Sequence, residues 1–321
     1  MKYYIGVDIG GTNIACGLVD ESGAIHNTES IKTQSELGYD AVVRNIAALV
    51  GRVIQKANVS PSDIGGVGVG CPGLCNKGLG IVECAINLGW KNVPLVADLE
   101  KLTKGMTEGA PVQIDNDANA AAYGEFVAGT AKGTNSAIVI TLGTGVGSGI
   151  IVDKKLYYGM NFAGGEIGHM VIKANGHPCN CGRAGCFEVY SSATGLIRMT
   201  NKAIEENPNS ELARVAEASK KVSARTAWQA ASMGDVVAQK VVDEYVAALA
   251  CGITNVINIF QPDIICIGGG VCNEGDRLLA PLKELVAKQV FSRNSKKNTE
   301  IAICALGNSA GIIGAAMLGG V

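Results

Sequence analysis

Three apolar, strand-like runs in this 321-residue chain end in glycine turns, and no other feature constrains the fold as much. The first, Tyr3 to Asp8, meets Gly10-Gly11-Thr12 and a second apolar run, Ile14 to Val19. Another, Ile138 to Leu142, meets Gly143-Thr144-Gly145 and the run Gly149 to Val152, and a third, Ile264 to Ile267, enters Gly268-Gly269-Gly270. An apolar run, a glycine turn and a second apolar run read as a β-hairpin. Setting Gly10 against Gly143 also pairs Val19 with Val152 and Asp20 with Asp153, so the second hairpin repeats the first and an internal duplication is expected. Between the hairpins, Val42, Val43, Ile46, Leu49, Val50 and Ile54 recur at helical spacing across Asp40 to Ala57. A buried strand at Gly66 to Gly70, a helix near Leu95 to Thr107, a strand at Val112 to Ile114 and an alanine-rich helix at Ala118 to Ala128 follow, the last closed by Gly129. The second half carries a Cys-rich loop (Ala174 to Gly185) and helical stretches across Ala193 to Gln239. It ends with a long helix from Val236 to Phe260, a strand at Ile301 to Ala305 and a small-residue helix from Ser309 to Leu318.

The length suggests two lobes, and the boundary is placed near Asn116 to Ala118. On that reading residues 1–117 form a small N-terminal lobe, 118–306 a large one, and the C-terminal helix, 307–321, packs back on the first. The 43 glycines predict many tight turns or close backbone approaches. A formal charge of -2 gives no basic footprint, so nucleic acid is not an expected partner. The opening Met1-Lys2-Tyr3-Tyr4 enters a strand at once without the pattern of a secretion signal, and a cytoplasmic location is expected. The longest apolar helix is broken by Lys240, Asp243 and Glu244, so no membrane span is expected. Eleven cysteines, an odd number, favour reduced thiols over disulfides.

Glycine turns after buried strands let backbone N–H groups approach phosphate oxygens, and Thr12 and Thr144 add hydroxyl donors. Asp8, at a strand end, is suited to hold Mg²⁺ through water. No Gly-x-x-x-x-Gly-Lys-Ser/Thr occurs, which excludes a P-loop enzyme. Gly68-Val69-Gly70-Cys71-Pro72-Gly73 matches G-x-G-x-x-G, but the residues after it do not open a helix, so the match is read as accidental. Asp115-Asn116-Asp117-Ala118-Asn119 places acids and amides where a strand meets a helix. One cap would suffice there; four polar side chains in five residues exceed what capping needs, and Asp117 becomes the candidate general base.

Gly164-Gly165-Glu166-Ile167-Gly168-His169 precedes Cys179-Asn180-Cys181 and Cys186-Phe187-Glu188. Three cysteines and one histidine match a closed tetrahedral zinc site, structural rather than Lewis-acidic. The plainer reading is a set of free cysteines, though Cys-x-Cys-x-x-x-x-Cys is seldom needed for packing. His169 and His177 are rival fourth ligands, and spacing does not choose between them.

Together these residues resemble the ROK family of bacterial sugar kinases and related transcriptional repressors, and the match is nearest to its glucokinases. It runs from Asp8-Ile9-Gly10-Gly11-Thr12 to the Gly307–Leu318 segment. The resemblance implies a duplicated α/β fold of two lobes, actin-like and ribonuclease-H-like, with ATP and sugar in a cleft. It implies ATP-dependent phosphorylation of a hexose at its primary hydroxyl, glucose being favoured, with N-acetylhexosamines, fructose or allose as alternatives. By the same likeness Asp8, Gly10, Gly11, Thr12, Thr144 and Gly145 face phosphates, and Gly268 and Gly269 approach the adenosine. Asn116, Asp117, Glu166, His169 and Glu188 hold sugar hydroxyls, with Asp117 the base. His169 joins Cys179, Cys181 and Cys186 on zinc. ATP, Mg²⁺ and structural Zn²⁺ are the implied cofactors, and a homodimer or homotetramer the implied assembly. Polyphosphate stays open as an alternative donor. Asp115, where the family commonly has Glu, and Cys75-Asn76, where an acid is frequent, are departures that bear on sugar preference. The main non-enzyme alternative is a sugar-sensing regulator of the same family, whose members carry an added helix-turn-helix module; an actin-like assembly ATPase would not need Glu166, His169 and Glu188.

Overall fold

The computed structural model describes residues 2–320. Ile5, Val7 and Ile9 are buried along strand β1 (Tyr3–Ile9), which turns at Gly10 into β2 (Asn13–Asp20), paired antiparallel from Tyr3↔Asp20 to Ile9↔Ile14. Strand β3 (Ile25–Lys32) extends the meander. Helix α1 (Tyr39–Ala57) buries Val42, Ile46, Leu49, Val50 and Val53 on one stripe and stops where Asn58 turns left-handed. Strand β4 (Ile64–Cys71) lies parallel to β1. A small antiparallel sheet, β5 (Leu74–Asn76), β6 (Ile81–Ala85) and β7 (Trp90–Val93), leads to helix α2 (Leu95–Thr103). Strand β8 (Val112–Asn116) joins β4 in parallel and runs straight into helix α3 (Asp117–Ala128).

The second half opens with β9 (Ala137–Leu142), β10 (Val146–Val152) and β11 (Lys155–Leu156). Helices α4 (Phe187–Ser191), α5 (Ala193–Glu206), α6 (Glu211–Ala218), α7 (Thr226–Ser232) and α8 (Val236–Phe260) follow. Strand β12 (Ile264–Gly268), helix α9 (Asp276–Gln289), strand β13 (Glu300–Ile303) and helix α10 (Ala310–Gly319) complete the chain.

The two large sheets have one plan: β3-β2-β1-β4-β8 in the first and β11-β10-β9-β12-β13 in the second. In each a meander is flanked by strands reached through helical crossovers, β12 and β13 being parallel as β4 and β8 are. The shared order is the duplication expected from the repeated hairpin.

By its contacts the chain forms two compact units. One holds the described residues through Val139, with Gly149–Gly165 and the described residues from Cys304 onward; the other holds Ile140–Ser148 and Glu166–Ile303. The first unit therefore takes in α3, which lies past the boundary drawn at residue 117. Within that unit α10 packs on β1, β4 and α3 so closely that a Cβ on Gly6 or Gly68 would run into the Ile312 or Ala315 carbonyl.

Several elements differ from the sequence reading. Strand β3 was not anticipated because its alternation is built from His26, Thr28 and Ser30 against only partly buried partners. The β5–β7 sheet is made of strands of three to five residues, too short to show a period. Helix α2 ends at Thr103 rather than Thr107, where the Thr103 hydroxyl donates to the Leu99 carbonyl at 2.8 Å and turns follow. After the G-x-G-x-x-G match the chain enters β5, not a helix, as read. Among the described residues no helix is long and apolar enough to cross a membrane.

Candidate functional site

The residues singled out from the sequence fall into two groups, one in each unit. In the first unit the parallel strands set the stage. Register places Asp8 opposite Gly70 and Gly70 opposite Asp115, with Cys71 opposite Asn116, so these residues line up along the carboxyl ends of β1, β4 and β8. Such strand ends are where open α/β sheets bind ligands. The turn beyond Asp8 is closed by Gly10 N donating to the Asn13 carbonyl at 2.9 Å. It is braced by Thr33, whose backbone N donates to the Thr12 carbonyl at 3.0 Å and whose hydroxyl donates to the Gly10 carbonyl at 2.6 Å. Gly11 and Thr12 are left exposed at its tip.

At the end of β8 the polar cluster resolves into separate tasks. Asn116 is the N-cap of α3: its Oδ1 accepts from the Ala118 and Asn119 backbone N–H groups at 2.9 and 3.3 Å. Its Nδ2 donates to the Gly73 carbonyl at 3.0 Å, so this amide is already engaged at both ends. Asn119 donates to Asp115 at 3.0 Å. Asp117, the first helical residue, accepts from its neighbour Ala118 N at 2.9 Å. Burial raises the Asp117 carboxyl above its ordinary value, an effect its backbone N–H partners oppose. Burial, and then the nearby Asp117 charge, push Asp8 up from 3.8 to about 6. Two half-buried carboxyls near each other make a place that favours a proton or a cation. The start of α10 keeps this place open: a Cβ at Gly311 would sit 2.5 Å from Asp8 Oδ2.

In the second unit the turn between β9 and β10 is held by Gly143 N donating to the Gly145 carbonyl at 3.0 Å. Val146 N donates to Glu188 Oε2 at 2.9 Å, and a Cβ on Gly145 would collide with that carboxylate. Ala193 N donates to the Gly143 carbonyl at 2.9 Å, so the start of α5 ties down the other side of the turn. Gly269, at φ 98, lies against the Leu142 carbonyl and follows directly on Gly268 at the end of β12. Thr144, Gly145, Glu188, Gly268 and Gly269 are thus gathered around one glycine turn. Glu166 is exposed and precedes the short 3₁₀ turn Ile167–His169.

His169, Cys179, Cys181 and Cys186 bring four ligand atoms within 4.8 Å of one another. His169 Nδ1 lies 3.7 Å from Cys179 Sγ, and Cys181 Sγ lies 3.7 Å from Cys186 Sγ. A tetrahedral ion with metal–sulfur bonds of about 2.3 Å needs sulfur–sulfur edges of about 3.8 Å, which this donor set matches. His177 is not in the cluster. Its backbone N–H donates to the Tyr190 hydroxyl at 2.7 Å, and the residue lines a cavity of about 910 Å³ with Lys173, Tyr190 and Arg198.

The ROK family model matches residues 4–319 of this sequence. The chain belongs to the ROK family. Among its ROK relatives, the glucokinase of Halalkalibacterium halodurans is 38% identical over 318 residues, covering 99% of this chain and 94% of that one. A ROK glucokinase from Streptomyces griseus, solved in complex with glucose and AMPPNP, superposes with a TM-score of 0.81 at 33% identity, covering 99% of both chains. The xylose repressor of Bacillus spizizenii is 30% identical over 97% of this chain, which spans 75% of the repressor. The two-lobed actin-like ATPase fold expected from the sequence is the fold of these ROK kinases.

Two features escaped the sequence reading. Nothing local marked Lys77, a lone lysine in a glycine-rich loop, as a partner of Asp115, which it meets at 3.2 Å. Nor did any motif tie Glu188 to Val146, because the two lie 42 residues apart.

Proposed function

We propose that this ROK protein is an ATP-dependent hexose kinase that transfers the γ-phosphoryl group of ATP to the primary hydroxyl of a hexose, with glucose the preferred substrate. The observation that carries this reading is the pair of half-buried carboxyls at the strand ends of the first unit, Asp8 and Asp117, both raised by desolvation, with Asp117 opening α3. A base must be within reach of the proton it takes and hold a pKa near the working range, and burial moves Asp117 in that direction. In phosphoryl transfer the protein chiefly aligns the reactants and neutralises charge. Asp117 accepts the hydroxyl proton as the sugar oxygen attacks, while the glycine turn at Gly10–Thr12 offers backbone N–H groups to phosphate oxygens. Asp8 is the residue to hold a hydrated Mg²⁺, which supplies neutralising charge to the triphosphate when bound.

In the second unit Thr144, Gly145, Gly268 and Gly269 are assigned to the nucleotide, and Glu166, His169 and Glu188 to sugar hydroxyls. Ionised carboxylates are acceptors only, which suits a polyol. Glu188 has Oε2 held by Val146 N, leaving Oε1 to accept from a hydroxyl. In the first unit Asn116 can contribute only what its three existing side-chain hydrogen bonds leave free. His169 with Cys179, Cys181 and Cys186 would hold zinc in a closed shell, stiffening the segment that presents Glu188. Function in the cytoplasm and a homo-oligomeric assembly complete the proposal.

The similarity to xylose repressors favours a second reading, a sugar-responsive regulator. A coupled assay of ADP release separates the two: the kinase reading expects ADP production that depends on added glucose. Purified protein that binds sugar yet releases no ADP with any hexose supports the regulator. A panel of glucose, N-acetylglucosamine, N-acetylmannosamine, fructose and allose fixes the substrate.

A further inference from the structure

Lys77 is surrounded by groups that give its charge a task. Its Nζ lies 3.2 Å from Asp115 Oδ2, donates to the Tyr158 hydroxyl at 2.8 Å and sits 4.4 Å from the centroid of the same ring. The Lys77 side chain is 23% exposed and Asp115 only 3%. Asp115 Oδ1 accepts from Asn116 N at 2.8 Å and from Asn119 Nδ2 at 3.0 Å, whereas Oδ2 makes no hydrogen bond, so the tie to Lys77 is ionic. Burial, followed by the Asp115 charge, holds the Tyr158 phenol far above its ordinary value, and it stays a neutral O–H beside the pair. A chain of contacts therefore runs from Tyr158 through Lys77 and Asp115 to the cap and first turn of α3, where Asp117 stands.

We propose that Lys77 is a positioning residue for the phosphoryl-transfer step: its ammonium keeps Asp115 in place as a charged brace, and Asp115 fixes the Asn116–Asn119 turn that presents Asp117. The inference rests on the reading of Asp117 as the base. The physical ground is the cost of burying a charge. A buried carboxylate stays ionised and still only while a cation compensates its lost hydration, and removing one partner of such a pair is far worse than removing both. Without Lys77, Asp115 loses the cation at its unbonded Oδ2 and swings toward water, which disturbs its contacts with Asn116 N and Asn119. Asn at position 115 keeps an acceptor for Asn116 N and carries no charge, so it has no need of Lys77.

The test compares kcat, the KM values for ATP and glucose, and thermal midpoints in Lys77→Met, Lys77→Arg, Asp115→Asn and the double variant Lys77→Met/Asp115→Asn. Displacement of a reacting group by an ångström costs about 10²-fold. Lys77→Met is therefore expected to lose about 10²-fold in kcat with the KM for ATP unchanged within about twofold, and Lys77→Arg to keep most of the rate. If Lys77 acts through Asp115, the double variant turns over like Asp115→Asn alone and faster than Lys77→Met. A double variant slower than either single one, or a Lys77→Met enzyme with wild-type kcat, overturns the proposal. Should Lys77→Met fail to fold, the pair Asp115→Asn and double variant still decides it, because a further tenfold loss on adding Lys77→Met refutes action through Asp115. Wild-type turnover in Asp117→Asn is a different failure, that of the base assignment itself.

Discussion

Replacing Asp8 by Asn should stabilise the ligand-free protein at neutral pH while abolishing its use of Mg²⁺. Asp8 is 3.8 as an ordinary carboxyl and about 6 in the folded protein, chiefly through burial and then through the Asp117 charge. At 1.36 kcal/mol per pH unit the difference is about 3 kcal/mol at most. The sign follows from proton binding. Below about pH 4 both states hold the Asp8 proton and the group costs nothing. Between about pH 4 and 6 the unfolded chain releases its proton first, so stability falls as pH rises, and above pH 6 the full cost is present. Asn at position 8 removes that cost. The assay is the thermal midpoint of wild type and Asp8→Asn at pH 4.5 and pH 7.5 without Mg²⁺. The variant should melt several degrees higher at the upper pH, and the gap should shrink to about a third of that at the lower one. Saturating Mg²⁺ with nucleotide should raise the wild-type midpoint and leave Asp8→Asn almost unchanged. Midpoints that run parallel at both pH values would refute the claim that Asp8 sits in a desolvated place beside the Asp117 charge.

Other expectations follow from the same geometry. Zinc analysis should find about one ion per chain, Cys181→Ala should lose it together with sugar affinity, and His177→Ala should retain it, since only His169 joins the cysteine cluster. Gly145→Ala pushes against the far end of the Glu188 side chain rather than against backbone, so its melting temperature should change little while the KM for sugar rises as the Val146 contact is lost. Gly314→Ala, by contrast, drives a Cβ into the Ala120 carbonyl where α10 meets α3, and should cost about 1–3 kcal/mol, read as a lower denaturation midpoint.

What could be read from the sequence was what short-range pattern encodes. Apolar runs meeting glycine turns gave both hairpins, and their repetition gave the duplicated sheet order. The Cys₃His set was legible because a metal site needs particular atoms at particular spacing, though only the fold could bring His169 rather than His177 to Cys179. The run Asp115–Asn119 announced itself by excess polarity, but its division of labour did not. Asn116 proves to be the cap and Asn119 a support for Asp115, and that assignment depends on where β4, Gly73 and Lys77 lie. Strand β3 and the β5–β7 sheet were silent for the opposite reason: half-exposed or very short strands are held by their neighbours, and their own side chains carry little periodic signal. Lys77 and Tyr158, 81 residues apart, could be joined only by the fold.

The most direct test of the account is single-turnover glucose phosphorylation by Asp117→Asn beside a calorimetric measurement of its glucose affinity. Removal of a general base in a positioned site is expected to slow the chemical step by about 10²–10⁴-fold, with glucose binding retained within a few fold. An Asp117→Asn enzyme that forms glucose 6-phosphate at the wild-type rate would contradict the account.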